Sequence, residues 1–189
     1  SSIADIPGAR VVWEKGFIGV VAPKQWHAIR AAQQLAVTWS DAKPKFPGHN
    51  KVHDHIRAAP VIHRDVDKEK GKVDELFAKA AKVFEATYEW PFQSHSSMAA
   101  ACAVVDARAD GARMWSGTQK PHAAAEGVAK FLGVPAEKVV CTSMTGPGSY
   151  GRNDAGDAGM DAAVMSKAVG KPVRVQGMRH EGTGWDPKA

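Results

Sequence analysis

The sequence predicts an α+β fold in which short strands and helices are interleaved and an irregular stretch divides the chain. Three observations carry that reading. Apolar residues alternate with period two over 101–107 and 112–116. They recur at spacings of three and four over 23–39 and 121–132. Between these regions, Pro44, Pro47, Gly48 and Pro60 interrupt any period. A length of 189 residues suits one domain, or one plus part of another, and 44% hydrophobic with 24% charged residues is the composition of a folded chain.

Taken in order, Val11-Val12-Trp13 and residues 17–22 read as two strands joined at Lys15-Gly16. From Pro23, the series Trp26, Ile29, Ala32, Ala36 and Trp39 predicts an amphipathic helix, its stripe widened by Ala28, Ala31 and Leu35. Residues 40–71 read as a long connection with one short helix around 52–59, followed by a helix over 73–82 and a strand-like run over 83–90. After Pro91, strands at 101–107 and 112–116 flank the turn Ala109-Asp110-Gly111. A helix over 121–132 has Pro121 at its start and Gly133 just past its end. A strand over 138–144, a glycine-rich loop over 146–151, a helix over 154–169 and a strand over 172–176 complete the series.

Composition narrows the function classes. No apolar run reaches the ~20 residues that span a bilayer, and the first ten residues carry no leader-like pattern. The abrupt start and the tail after 182 read as a segment cut from a longer protein. Cys102 and Cys141, without a CxxC pair, support neither a disulfide framework nor a thiolate iron–sulfur cluster. The net charge of +5 is dispersed, and the densest run, 65–72, is of mixed sign, so a nucleic-acid surface is not expected.

The most informative segment is Gly146-Pro147-Gly148-Ser149-Tyr150-Gly151, set between a strand and a helix. Glycines there permit positive φ and close backbone approach, and the following helix start offers N–H donors to an anion or a metal-oxo group. The pattern satisfies GxGxxG, the dinucleotide fingerprint, but the acid expected ~20 residues later is missing. Glu181 stands about 30 residues beyond Gly151. Asp154, Asp157 and Asp161 share one face of the next helix, as a cation site or as acids complementing its dipole. His49, His53 and His55 have a spacing compatible with zinc but sit in the irregular connection. His95 reads as an acid–base residue or a hydrogen-bonded structural group, and Gln119 as a carboxamide at a strand end.

In order along the chain, Trp90-Pro91-Phe92-Gln93-Ser94-His95-Ser96-Ser97-Met98, Trp115-Ser116-Gly117-Thr118-Gln119, Phe131-Leu132-Gly133-Val134-Pro135, Gly148-Ser149-Tyr150-Gly151-Arg152 and Pro172-Val173-Arg174-Val175 form a series. That series resembles the molybdopterin-binding large subunit of the xanthine dehydrogenase and aldehyde oxidase family. Its wording is most similar to the bacterial branch with nicotinate dehydrogenase and isoquinoline oxidoreductase subunits. The resemblance implies that residues 1–45 end a hammerhead-like α/β domain, 46–82 connect, and 83–189 open a mixed α/β molybdenum-cofactor domain. It further implies that Gln119 contacts an oxygen ligand on molybdenum, with Gly148, Ser149, Tyr150, Gly151 and Arg152 beside the cofactor. Asp154 falls on the substrate side. Tyr150 replaces the family's usual phenylalanine, and Arg152 replaces a glycine of the xanthine-type loop.

The family's glutamate base lies near the large subunit's C-terminus, so this chain is expected to hold no catalytic base and to be inactive alone. The implied cofactor is molybdenum-molybdopterin cytosine dinucleotide. The implied partners are the remainder of the large subunit, an iron–sulfur small subunit and a c-type cytochrome. The implied reaction is oxidation of an N-heterocycle or aldehyde with water as the oxygen source. A dinucleotide-binding module on residues 146–151 and a non-catalytic packing module are the alternatives.

Overall fold

The structure, a computed structural model, describes all residues except 1, 66, 69, 147, 154 and 186–189. Two units separate, one formed by residues 1–37 with 92–189 and the other by residues 38–91.

In the first unit, β1 (Arg10–Glu14) and β2 (Phe17–Val21) form an antiparallel pair running from Arg10↔Val21 to Glu14↔Phe17. The turn has positive φ at both Lys15 (48°) and Gly16 (88°), the geometry whose twist matches a two-residue hairpin. Helix α1 (Gln25–Gln34) follows. The predicted stripe faces the core only through Ala31 and Leu35. Trp26 and Trp39 are 62% and 69% exposed, and Ala31 is the helix's buried residue. Ala31 packs with Ile3 and Ile6 from the N-terminal turns, with Leu35 beside them. The helix ends near Leu35, short of the predicted 39, and the Ala36 N–H bonds the Ser2 hydroxyl instead (2.8 Å).

The main sheet contains β3 (Cys102–Arg108), β4 (Gly111–Ser116), β5 (Val139–Ser143) and β6 (Val173–Gln176), ordered β5-β4-β3-β6. β3 is antiparallel to both neighbours, whereas β4 and β5 are parallel. Helix α4 (Pro121–Leu132) makes the β4-to-β5 crossover, and α5 (Ala155–Val169) carries the chain over the sheet to β6. Both helices pack on the same sheet and on each other. The alternation in β3 is borne out, with Ala103, Val105 and Ala107 buried. Together with Met114, Val128, Val139, Ala158, Ala162 and Ala163 they form the core. α4 ends on Gly133 in the left-handed conformation (φ 75°), as its position past the helix predicts.

The C-terminal segment differs from the expected tail. α6 (Arg179–Trp185) forms there, and the Glu181 carboxylate accepts the Met178 N–H, a capping-box arrangement that fixes the helix start.

The second unit contains α2 (Val52–Ala58), preceded by a 3₁₀ turn (His49–Lys51), and α3 (Val73–Lys79). None of its described residues is buried. The strand expected over 83–90 does not form: among the described residues that segment joins no sheet. No helix among the described residues is long and apolar enough to cross a membrane.

Two buried serines clamp α5 to the sheet. The Ser166 hydroxyl donates to the Lys171 carbonyl (2.8 Å) and accepts the Ala107 N–H (2.9 Å). Ser116, at the other end, donates to the Ala155 carbonyl (2.9 Å). Ser166→Ala leaves the buried Ala107 N–H and the part-buried Lys171 carbonyl unmet, and we expect a loss of about 1–3 kcal/mol, measured by urea unfolding. A variant as stable as the parent contradicts the clamp.

Candidate cofactor-facing loop

The site forms where β4 and β5 end side by side, at the carboxyl edge of the parallel pair, where open α/β sheets place ligands. Beyond β5 the ladder runs one step further, from the Met144 N–H to the Ser116 carbonyl (2.9 Å). The strand-end loops then meet backbone to backbone. A Cβ on Gly117 would stand 2.5 Å from the Gly146 Cα, and one on Gly146 would stand 2.6 Å from the Gly117 carbonyl oxygen.

From there residues 148–153 fold back over the end of β4. Gly148 (φ 81°), Tyr150 (φ 52°) and Gly151 (φ 126°) all take positive φ. Tyr150 tolerates this at a cost that glycine avoids. At Gly151 a side chain is excluded twice, by φ and by the His95 ring, which any Cβ there would overlap. Ser97, two residues beyond His95, donates its hydroxyl to the Arg152 carbonyl (3.2 Å). The segment 95–97 therefore backs the loop.

Gln119 closes the arrangement from the other side. Its Nε2 donates to the Gly151 carbonyl (3.3 Å), and its Oε1 accepts the Asn153 N–H (2.9 Å). These opposite partners fix which way the carboxamide faces. One Nε2 hydrogen is used in this bond, and among the described residues the other meets no acceptor. Asn153 also donates from Nδ2 to the Gly117 carbonyl (3.1 Å) and accepts the Ala155 N–H at Oδ1 (3.2 Å). It thereby joins the loop, the end of β4 and the start of α5. Sequence reasoning missed Asn153, Ser97 and Ser116. An Asn just ahead of a helix is a capping signal, so Asn153 was detectable.

The structure thus brings Gln119, Gly148, Ser149, Tyr150, Gly151 and Arg152 together in one loop system. Asp154 and Pro147 lie outside the described residues. Arg152 pairs with Asp157 (2.9 Å), both partly exposed. Burial pushes the Asp161 carboxyl above its ordinary range, and Asp157 adds to the shift. His49, His53 and His55 do not converge; among the described residues no group of three His, Cys, Asp or Glu side chains is placed to hold a metal. Phe46 meets the His55 ring edge-on instead (5.7 Å, 86°). Cys102 and Cys141 are free thiols on β3 and β5, separated by β4, and burial pushes the Cys141 thiol up. Glu181, weighed as a ribose-binding acid, caps α6.

Glycine turns, a fixed carboxamide and a helix start offer backbone and amide donors to an oxygen-rich, anionic group, so these residues fit a molybdopterin-type cofactor.

Two outcomes follow for this site. Gly151→Ala must displace the His95 ring and strain the backbone, so amide exchange across 148–153 rises and stability falls by about 1–3 kcal/mol. Unchanged exchange in that loop removes the packing argument. For Asp161, the raised folded pKa means that protonation favours the folded state. Stability from this group is full below the ordinary aspartate pKa and is lost as pH rises through the folded value. Asp161→Asn should therefore abolish the part of the stability gained on acidification that this group supplies. NMR titration should place the Asp161 midpoint above the ordinary range, and Asp157→Asn should lower it.

The family profile of the molybdopterin cofactor-binding domain matches residues 52–188. The chain is 40% identical over 189 residues to a nicotinate dehydrogenase subunit of Pseudomonas putida, covering all of this chain and 16% of that protein. It is 28% identical over 159 residues to aldehyde oxidase 4 of Cavia porcellus, covering 82% of this chain and 12% of that one. The fold is similar to quinoline 2-oxidoreductase from Pseudomonas putida 86, with a TM-score of 0.62 at 20% identity over 95% of this chain and 27% of that structure. The chain thus spans less than a third of each of these relatives. Its ordered series of motifs and the profile match agree: the chain belongs to the molybdopterin cofactor-binding domain family, within the xanthine dehydrogenase and aldehyde oxidase group of molybdenum-dependent oxidoreductases.

Proposed function

We propose that the chain forms one wall of the cofactor site in the large subunit of a molybdenum hydroxylase that oxidises an N-heterocycle or an aldehyde with water as the oxygen source. The observation that carries this reading is the Gln119 carboxamide, held between the Gly151 carbonyl and the Asn153 N–H with one amide hydrogen left to donate. The likeness to the nicotinate dehydrogenase of Pseudomonas putida favours the N-heterocycle.

When bound, the molybdenum cofactor, in its cytosine dinucleotide form, supplies the two-electron oxidation of the substrate carbon. The chain's own residues position and exclude. Gln119 would hold the bound cofactor through its remaining amide hydrogen, and Gly148, Ser149, Tyr150, Gly151 and Arg152 would bring main chain close to it. His95 fills the space behind Gly151, which keeps the loop from collapsing backward. Asp154 is assigned to the substrate side. A proton-abstracting base comes from the rest of the large subunit, so these 189 residues alone do not turn over. An iron–sulfur small subunit or a haem-carrying cytochrome would be the electron-accepting partner of the assembled enzyme. The reading keeps the division into a hammerhead-like end at 1–45, a connection at 46–82 and a cofactor-domain opening at 83–189.

The test is Gln119→Ala in the intact, natively purified assembly, with elemental analysis beside kinetics. Removing one preorganised donor typically lowers kcat by about 10²–10³-fold. We expect that loss at stoichiometric molybdenum. Full turnover by the variant rejects the role of Gln119, and absence of molybdenum from the wild-type assembly rejects the reading as a whole.

A further inference from the structure

Gln119 is exposed, so packing does little to fix its carboxamide. Its orientation rests on two hydrogen bonds, and the shorter is the one from the Asn153 N–H (2.9 Å, against 3.3 Å to the Gly151 carbonyl). A half turn of the amide would set donor against donor at Asn153 and acceptor against acceptor at Gly151. The carboxamide is therefore only as well placed as the Asn153 N–H that it reads. What places that N–H is the side chain of the same residue. Asn153 Oδ1 accepts the Ala155 N–H at the start of α5 (3.2 Å), and Nδ2 donates to the Gly117 carbonyl beyond β4 (3.1 Å). Both anchors are themselves held. Gly117 lies against Gly146 with no room for a Cβ, and the Ala155 carbonyl accepts the buried Ser116 hydroxyl. Because Gly117 stands two residues before Gln119, the bonds between 117–119 and 153 close a ring. Few side chains can complete it. The Ala155 N–H demands an acceptor and the Gly117 carbonyl a donor; a carboxamide carries both, whereas a carboxylate carries acceptors only.

We propose that Asn153 is a positioning residue for Gln119. Through its bond to Gly117 it holds its own N–H at Gln119 Oε1, and so keeps the remaining Gln119 amide hydrogen turned to the cofactor. The inference rests on the reading of Gln119 as a cofactor-holding donor. Asn153→Asp separates positioning from helix capping. Aspartate serves as well as asparagine at a helix start, where its charge also complements the dipole, so a capping role predicts no loss. Positioning predicts a loss, because the carboxylate meets the Gly117 carbonyl acceptor to acceptor.

Hydrogen exchange resolved to single residues, on the intact and natively purified assembly, decides the matter together with kcat per bound molybdenum. In the wild type the Asn153 amide should exchange at least about 10-fold more slowly than in an unstructured peptide, and Gln119→Ala should remove that protection. Asn153→Asp should remove it too, leave exchange in α5 unchanged, and lower kcat by about 10–100-fold. In the Gln119→Ala background the same substitution should cost no further kcat, since it acts through Gln119. An unprotected Asn153 amide in the wild type, or protection that survives Gln119→Ala, overturns the proposal even where Asn153→Asp fails to fold. So does an Asn153→Asp enzyme that keeps the protection, that loosens α5 instead, or that loses further kcat without Gln119. Full turnover by Gln119→Ala rejects the reading of the site instead, and the exchange at Asn153 still decides whether it holds Gln119.

Discussion

Everything at the candidate site depends on how closely α5 lies on the sheet. The helix presents alanine and glycine to β3 and β4, with Ala158, Ala162 and Ala163 buried and Gly159 so close to Met114 that a Cβ there would overlap its methyl group. Small residues bury little apolar area each, so this contact gains less from the hydrophobic effect than a leucine seam of the same length. The two serine clamps compensate in kind. Ser116 and Ser166 convert backbone groups at opposite ends of α5 into satisfied, buried partners, and an error in register would leave those groups unmet. Proximity comes from alanine and glycine, and register from serine.

That register sets the loop. The same Ser116 hydroxyl that holds Ala155 also accepts the Thr118 N–H (3.2 Å), and the Thr118 hydroxyl accepts the Lys120 N–H (3.3 Å). The chain leaving β4 is therefore steered, residue by residue, so that Gln119 meets residues 151–153. Asn153 meets it from the helix side. A carboxamide so held loses little conformational entropy when a ligand arrives, which is what preorganisation means in a binding site.

The second half of the chain was largely legible in its sequence, because its elements obey local rules. The alternation of β3 and β4, Pro121 and Gly133 at the ends of α4, and the glycine loop between β5 and α5 each have a local physical cause. The failures were non-local. Periodicity placed a helix from 23 and counted the buried Ala31 and the packed Leu35 in its stripe, but Trp26 and Trp39, counted in the same stripe, are exposed. α6 carries two glycines and was invisible to propensity; its start is fixed by one carboxylate, Glu181. At the site, glycines and Gln119 stood out by type, whereas Ser97 and Ser116 act through partners 55 and 39 residues away, which no local pattern encodes.

The unit 38–91 shows the same limit from the opposite direction. Its helices α2 and α3 have seven residues each, too short to be stable without packing, and none of their residues is buried. Val61 and Ile62 are 81% and 96% exposed. Apolar side chains at this density, left in water, cannot offset the entropy of ordering some fifty residues of backbone. Yet the composition is that of a folded chain rather than a disordered one, rich in aromatic residues that a linker has no use for. Apolar burial within 38–91 therefore does not account for its conformation, whereas the clamped sheet and its loop are held by contacts of their own.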